Sequence, residues 1–255
     1  MMKTLTMLLV ALLIGCTQEK APTSIDEKPI QLTAEETKYI QEHRVVTWVV
    51  EDNRPPFIYV NGTTARGISV DFLALIGKKT GLVFKQVSVR GFNEGINAVK
   101  AGEIDLMTAV RPTSDRAEFL GFTAPFSYNA GVFIFRLNDK PRSPLRAGIC
   151  EGDAGRAYLM SRFPDMKITE TADNEEAIAL LEKGLLDVAI MNEASADYLT
   201  HKSITKMRKA NADFDYPYSF AFKKDDVLLG RILSKAIASI SLEDKKTINE
   251  SWQKE

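Results

Sequence analysis

The spacing of apolar residues switches repeatedly between two periods along the chain. "VVTWVV" at 45–50 is a continuous apolar run, the pattern of a strand buried on both faces. "GISVDFLALIGKKTG" at 67–81 places Val70, Leu73 and Ile76 on one helical face, with Gly81 where a helix stops. "VFKQVSV" (83–89) alternates as a strand, "FNEGINAVKAG" (92–102) reads as a helix and "IDLMTAV" (104–110) as a strand. The alternation restarts after "YNAGVFIFR" (128–136). "LRAGIC", "MKITET", "DVAIM" and "ITKMRK" read as strands, and "AGRAYLMSRF", "NEEAIALLEKG" and "EASADYLTH" as the helices between them. After "DYPYSFAF" two helices close the chain, "DDVLLGRILSKAIASI" and "LEDKKTINESW". Strands alternating with helices predict an α/β fold with mainly parallel sheets flanked by helices.

One phrase occurs twice. "INAVKAGEID" at 96–105 and "IALLEKGLLD" at 178–187 both place Gly six residues and Asp nine residues after Ile, and an apolar run follows each. The copies are 82 residues apart, which suggests two similar α/β lobes. Gly102 and Gly184 sit where a helix should end. Asp105 and Asp187 come next, where a short polar side chain is expected to bond the local backbone.

The N-terminus follows other rules. "MMKT" supplies a short positive start and "LTMLLVALLI" an apolar run too short for a comfortable membrane span. It ends in "LIGC", which resembles the lipobox of bacterial lipoproteins and implies cleavage before a lipidated Cys16. A plain secretory signal or an uncleaved anchor are the alternatives. Residues 1–15 are expected to be the signal peptide and 16–32 the lipidated cysteine and a flexible tether, with the folded domain spanning 33–255. Thr33 and Glu36 have the spacing of a capping box opening that domain. With Cys16 lipidated, Cys150 is the only remaining cysteine, which excludes an internal disulfide framework and leaves a buried, inert thiol as its expected state.

A formal net charge of -1 offers no basic field, so nucleic acid is not an expected partner. Neither His43 nor His201 stands in a metal or catalytic spacing, and GxSxG, HExxH and Walker patterns are missing from the sequence. No cofactor, no metal and no enzymatic activity are therefore expected.

Three stretches carry a family resemblance: "RPPFIYVNGTTARGISVDFLALI", "GEIDLMTAVRPTSDRAEFLGFTAPF" and "KGLLDVAIMN". Taken in this order over roughly residues 44–255, they resemble the type II extracytoplasmic solute-binding proteins, the polar amino-acid receptor family (family 3). "LTAEETKYIQEHR", "FTAPF" and "SISLEDKKTINESW" are most similar to the Venus-flytrap sensor modules of periplasmic sensor kinases, here expected without an attached signalling output. The resemblance implies two lobes, one of about 44–132 plus 217–255 and one of about 137–210, with hinge crossovers near 131–136 and 211–218 and a ligand in the cleft. It also implies a small polar solute, amino-acid-like or carboxylate-bearing, and a membrane partner that is an ABC permease or a sensor.

Arg116, in Thr113-Ser114-Asp115-Arg116, matches the family arginine that clasps a ligand carboxylate, for which a planar guanidinium is well shaped. Arg111 is a second cationic candidate. Glu51, Asp52 and Arg54 lie in the loop after the first strand, with Arg54 about where relatives place an aromatic ring. Phe92 matches a position that often contacts ligand, while Phe57 and Tyr59 fit either cleft or core. Two positions depart from the family. Gly152-Asp153-Ala154 replaces the usual Gly-Ser/Thr-Thr, and Asn192 stands where relatives bind the ligand's ammonium with an Asp. Asp153 opposes a bound anion unless it caps its own helix. An alternative to solute capture is a ligand-independent sensor or protein-partner module. An enzyme of the dehydratase type on this fold is a further one.

Overall fold

A computed structural model of the chain describes residues 30–51, 54–140 and 142–252. The expected signal peptide, Cys16 and most of the tether lie outside the described residues, as does Asp52. Ordered packing starts slightly before the expected boundary, because Ile30 and Leu32 rest on the first lobe's core.

The chain opens with α1 (Ala34–Glu42), closed at its start by the full capping box: Glu36 N donates to Thr33 Oγ1 at 3.2 Å, and Thr33 N to Glu36 Oε2 at 2.8 Å. Then come β1 (Val45–Glu51), a hairpin of β2 (Tyr59–Asn61) and β3 (Thr64–Arg66), α2 (Ile68–Thr80), β4 (Val83–Val89), α3 (Phe92–Ala101), β5 (Leu106–Val110), the short α4 (Ser114–Ala117) and β6 (Leu120–Phe122). A long strand β7 (Ser127–Arg136) leads into β8 (Arg146–Cys150), α5 (Gly155–Arg162), β9 (Lys167–Thr171), α6 (Asn174–Glu182), β10 (Val188–Asn192) and α7 (Glu193–Lys202). The chain returns along β11 (Met207–Lys223) and finishes with α8 (Val227–Ala238) and α9 (Leu242–Ser251). The hairpin, α4 and β6 have no counterpart in the periodicity; each is three or four residues long, too short to show a period.

The strands run in the order β4-β1-β5-β11-β7-β10-β8-β9, with β6 also on β11. Both wings are parallel: β1 with β4 and β5, and β8 with β9 and β10. The middle is antiparallel, because β11 pairs with β5 and β7, and β7 pairs with β10. The stretches "ITKMRK" and "DYPYSFAF" are one 17-residue strand rather than two elements. Each wing has apolar clusters on its two faces. Phe57, Phe72, Phe126 and Phe220 pack in the first lobe beneath α2 and α8, and Ile134, Leu181 and Met191 in the second beneath α6 and α7.

The repeated phrase marks one joint in each lobe. Gly102 and Gly184 take φ of +77° and +72°, the left-handed region that lets each helix end. The aspartates do more than bond locally. Asp105 Oδ2 accepts from Thr47 N at 2.7 Å and Thr47 Oγ1 at 2.6 Å, across to β1. Asp187 Oδ2 accepts from Arg146 N at 3.0 Å, and its Oδ1 from the same guanidinium at 2.7 Å, across to β8. Each carboxylate ties the start of one parallel strand to its neighbour. The expected local turn is thus corrected to a cross-strand clasp.

The Arg146 hydrogen bond holds the Asp187 carboxyl down at about 2. A depressed carboxyl contributes stability that is present above its unfolded value, about 3.9, and is lost as pH falls through the folded one. Asp187→Asn is therefore expected to lower the melting temperature at neutral pH, and the gap to the wild type to close as pH approaches 2. Asp105→Ala is expected to cost about 2 kcal/mol, read from urea unfolding curves.

Candidate functional site

Strand ends and helix starts from both lobes converge on one cleft, which encloses a cavity of about 110 Å³. The first lobe contributes Glu51 at the end of β1, Arg54 beyond it, Arg90, Gly91 and Phe92 at the start of α3, and Ala109, Arg111 and Arg116 at and after the end of β5. The second lobe contributes Cys150 to Ala154 at and after the end of β8, Ala172 to Asn174 after β9, and Asn192 at the end of β10. Tyr216 and Tyr218 of β11 line the base. This is the carboxyl edge of the parallel strands, where open α/β sheets expose unpaired backbone and helix N-termini.

Of the residues selected by sequence, Arg116, Glu51, Arg54, Phe92, Arg111, Asp153 and Asn192 all line this cleft. Phe57 is core, fully buried against Tyr218. Tyr59 packs with Tyr198 and Trp252 and does not line the cleft.

Arg116 is the centre of the first lobe's contribution. Its guanidinium lies 4.8 Å from the Phe92 ring centroid. It donates to Arg111 O at 2.8 Å and, across the cleft, to Gly152 O at 2.6 Å. Burial pulls the Arg116 pKa below its usual range, and the charge of Asp153 works against that pull. The group stays cationic. Arg111 donates to Ala154 O at 3.5 Å and lies over the rings of Phe214 and Tyr216.

Arg54 does not simply stand in for the missing ring. It pairs with buried Glu51 and donates to Ala109 O and Thr108 O, both at 2.9 Å, while facing Phe92 at 5.5 Å. Ala109 has φ +51°, an unusual conformation for alanine, at the point where its carbonyl meets Arg54. Burial pushes the Glu51 carboxyl up, against the pull of Arg54 and Arg116.

In the second lobe Asp153 is a cap. Its Oδ1 accepts from Gly155 N at 2.6 Å and from the Tyr216 hydroxyl at 2.8 Å. Burial raises its carboxyl, opposed first by those two donors. Asn192 is 2% exposed and occupied: Oδ1 accepts from Ser195 N, and Nδ2 donates to Ser195 Oγ, both at 2.9 Å. Ser195 Oγ in turn donates to Pro55 O of the other lobe at 2.7 Å. Asn93 Nδ2 adds a bond to Glu151 Oε1 at 2.9 Å. Gly152 takes φ +74°, a conformation that side chains disfavour, and a Cβ there would stand 2.5 Å from Asn93 Oδ1, which would have to shift.

Arg90, Cys150, Glu151, Asp173, Asn174, Tyr216 and Tyr218 escaped the sequence reading. Most follow directly on a strand already recognised, so the rule that sites gather at strand carboxyl ends, applied to β4, β8 and β9, finds them. Among the described residues no group of His, Cys, Asp and Glu is arranged to hold a metal ion, and no helix is long and apolar enough to cross a membrane.

Cys150 lines the cleft rather than the core. Burial first, then the charges of Asp153 and Glu51, push its thiol up to about 12. Alkylation followed on the Cys150 peptide at mildly alkaline pH is expected to be at least about tenfold slower than for an unperturbed cysteine, the scarcity of thiolate outweighing its greater nucleophilicity.

Residues 46–255 match the family of bacterial extracellular solute-binding proteins, family 3. The virulence sensor protein BvgS of Bordetella pertussis is 30% identical over 244 residues, covering 90% of this chain and 19% of that protein. The chain thus spans about a fifth of the length of the curated relatives it matches. The crystal structure of the Bordetella pertussis BvgS periplasmic VFT2 domain superposes with a TM-score of 0.79 at 26% identity, covering 88% of this chain and 99% of that one. A mutant of ArgBP from T. maritima gives a TM-score of 0.75 at 18% identity over 86% of this chain and all of that one, a likeness of fold. The two-lobed α/β architecture, the converging strand ends and residues 46–255 together make the chain a member of the bacterial extracellular solute-binding proteins, family 3, similar to the Venus-flytrap domains of sensor kinases.

Proposed function

We propose that this protein is an extracytoplasmic receptor, held to a membrane by a lipid on Cys16, that captures a small polar solute bearing a carboxylate. It closes around that solute and presents the closed form to a membrane partner, an ABC permease or a signalling protein. The observation that carries the reading is Arg116, a guanidinium held in the cleft against Phe92, with Arg111 beside it and lobe-2 backbone opposite. A carboxylate suits that fork better than a carbonyl does, because both its oxygens accept and it is charged. Closure follows from extra contacts made only when the lobes meet. The family and the relatives named above are binding or sensor modules. The acids that could do proton transfer are already engaged: Glu51 by Arg54, and Asp153 by Gly155 N and Tyr216.

A second reading has its own support. Arg116, Asn93 and Ser195 fasten the lobes to each other through bonds made by the chain itself. A sensor or protein-partner module that needs no solute would be built this way.

Thermal-shift measurement against amino acids, dicarboxylates, small peptides and amines separates the two. Solute capture predicts that one carboxylate-bearing class raises the melting temperature by roughly 5–10 °C at a hundredfold excess over its Kd, and that Arg116→Ala abolishes the rise. A folded protein that responds to none of the compounds would instead favour the partner-module reading.

A further inference from the structure

The base of the cleft holds two polar atoms that the carboxylate reading leaves unused. Tyr218 is 5% exposed and lines the cavity, with its ring packed on Phe57 and Tyr216. Its hydroxyl makes no hydrogen bond to a described residue, and the protein does not seal that oxygen off, so it opens onto the cavity. Burial first, and then the charge of Asp153, pushes the Tyr218 hydroxyl up, so it stays a donor at neutral pH. Asp153 lies close by. Its Oδ1 takes both bonds already described, from Gly155 N and the Tyr216 hydroxyl, which leaves Oδ2 unpaired and unsealed. Tyr216 sets the spacing, because its hydroxyl is 2.8 Å from Asp153 Oδ1 and its ring centroid 5.8 Å from that of Tyr218. The Tyr218 hydroxyl and Asp153 Oδ2 do not bond to each other. One ligand atom at about 2.8 Å from each would join them.

We propose that Tyr218 and Asp153 together receive a ligand hydroxyl, which makes the captured solute a small hydroxycarboxylate rather than an amino acid. The proposal rests on the solute reading above and adds the group that sits beside the carboxylate. It follows from matching donors to acceptors. The Tyr218 proton needs an acceptor, and Asp153 Oδ2 needs a donor. A hydroxyl supplies both at one atom. An ammonium has no lone pair to offer Tyr218, and a carbonyl has no proton to offer Asp153. The charges agree. Arg54 is paired with Glu51, whereas Arg111 and Arg116 donate to backbone carbonyls and pair with no carboxylate among the described residues. Two guanidiniums without a counterion suit an anion and repel an added ammonium. Asn192, where the family resemblance would place that ammonium, already spends its Oδ1 on Ser195 N. The charge of Arg116 is felt together with Asp153 and Tyr218, so carboxylate and hydroxyl belong on the same short chain.

Calorimetric titration of the protein with lactate and 3-hydroxybutyrate tests this, against propionate and butyrate as hydroxyl-free partners, alanine and 3-aminobutyrate as amines, and pyruvate as the carbonyl. The hydroxy acids are expected to bind at least about tenfold tighter than each of the others. Tyr218→Phe, which removes one oxygen and keeps the ring, should erase that margin without weakening propionate or butyrate. Asp153→Asn keeps a cap oxygen for Gly155 N but turns the free acceptor into a donor. It should shrink the same margin, and it carries the test if the phenylalanine variant fails to fold. Equal binding of hydroxy and hydroxyl-free acids, tighter binding of the amines, or equal weakening of both acid series in Tyr218→Phe overturns the hydroxyl site and leaves the carboxylate receptor standing. Binding of none of the compounds overturns both.

Discussion

The antiparallel pairing of β7 with β11 is the constraint on which everything else rests. Both lobes hang on these two strands: one wing of parallel strands joins through β5, the other through β10. A parallel sheet needs helical crossovers and cannot turn back on itself in a short loop. The central antiparallel pair therefore lets one chain build two parallel wings and bring their carboxyl edges to face each other. The cleft is a result of that topology before any side chain is chosen.

Chemistry then accumulates where the backbone is unpaired. Eight charged side chains line the cleft, and several are buried. A buried charge is costly unless paired or hydrogen-bonded. Here each lobe meets that requirement differently. Arg54 and Glu51 neutralise each other within the first lobe, Asp153 caps its own helix in the second, and Arg116 finds its acceptors on both sides. The guanidinium proposed to recognise a solute therefore also fastens the lobes to each other.

Much of the fold was legible because its elements are long and periodic. The faces of α2 and α3 and the apolar run of β1 need no tertiary information. The seam was not legible: β11 changes environment partway along, from half-exposed residues at Met207 to a fully buried Phe220, and this hid its continuity. The repeated Asp was visible as a pattern, but its partner was not, since Thr47 lies 58 residues from Asp105 and only the register of neighbouring strands brings them together. The place of Arg116 at the cleft was legible from its motif. The place of Asn174 was not, because in sequence it is an ordinary residue opening a helix, and it lines the cleft only once β9 has set it there.

The seam also has a flaw with mechanical meaning. Between Asn211 and Asp215, β11 bulges by three residues opposite the single Gly131 of β7, and Phe214 drops onto that glycine, where a Cβ would come within 2.8 Å of its ring. Phe214 also packs on Tyr158 of the second lobe and on Tyr216 beneath the cleft, with the Arg111 guanidinium above. Were the lobes to rotate about this point, a stack of rings would have to cross the place where the two strands part. Any such rotation must repack side chains, among them Tyr216, which also lines the cleft.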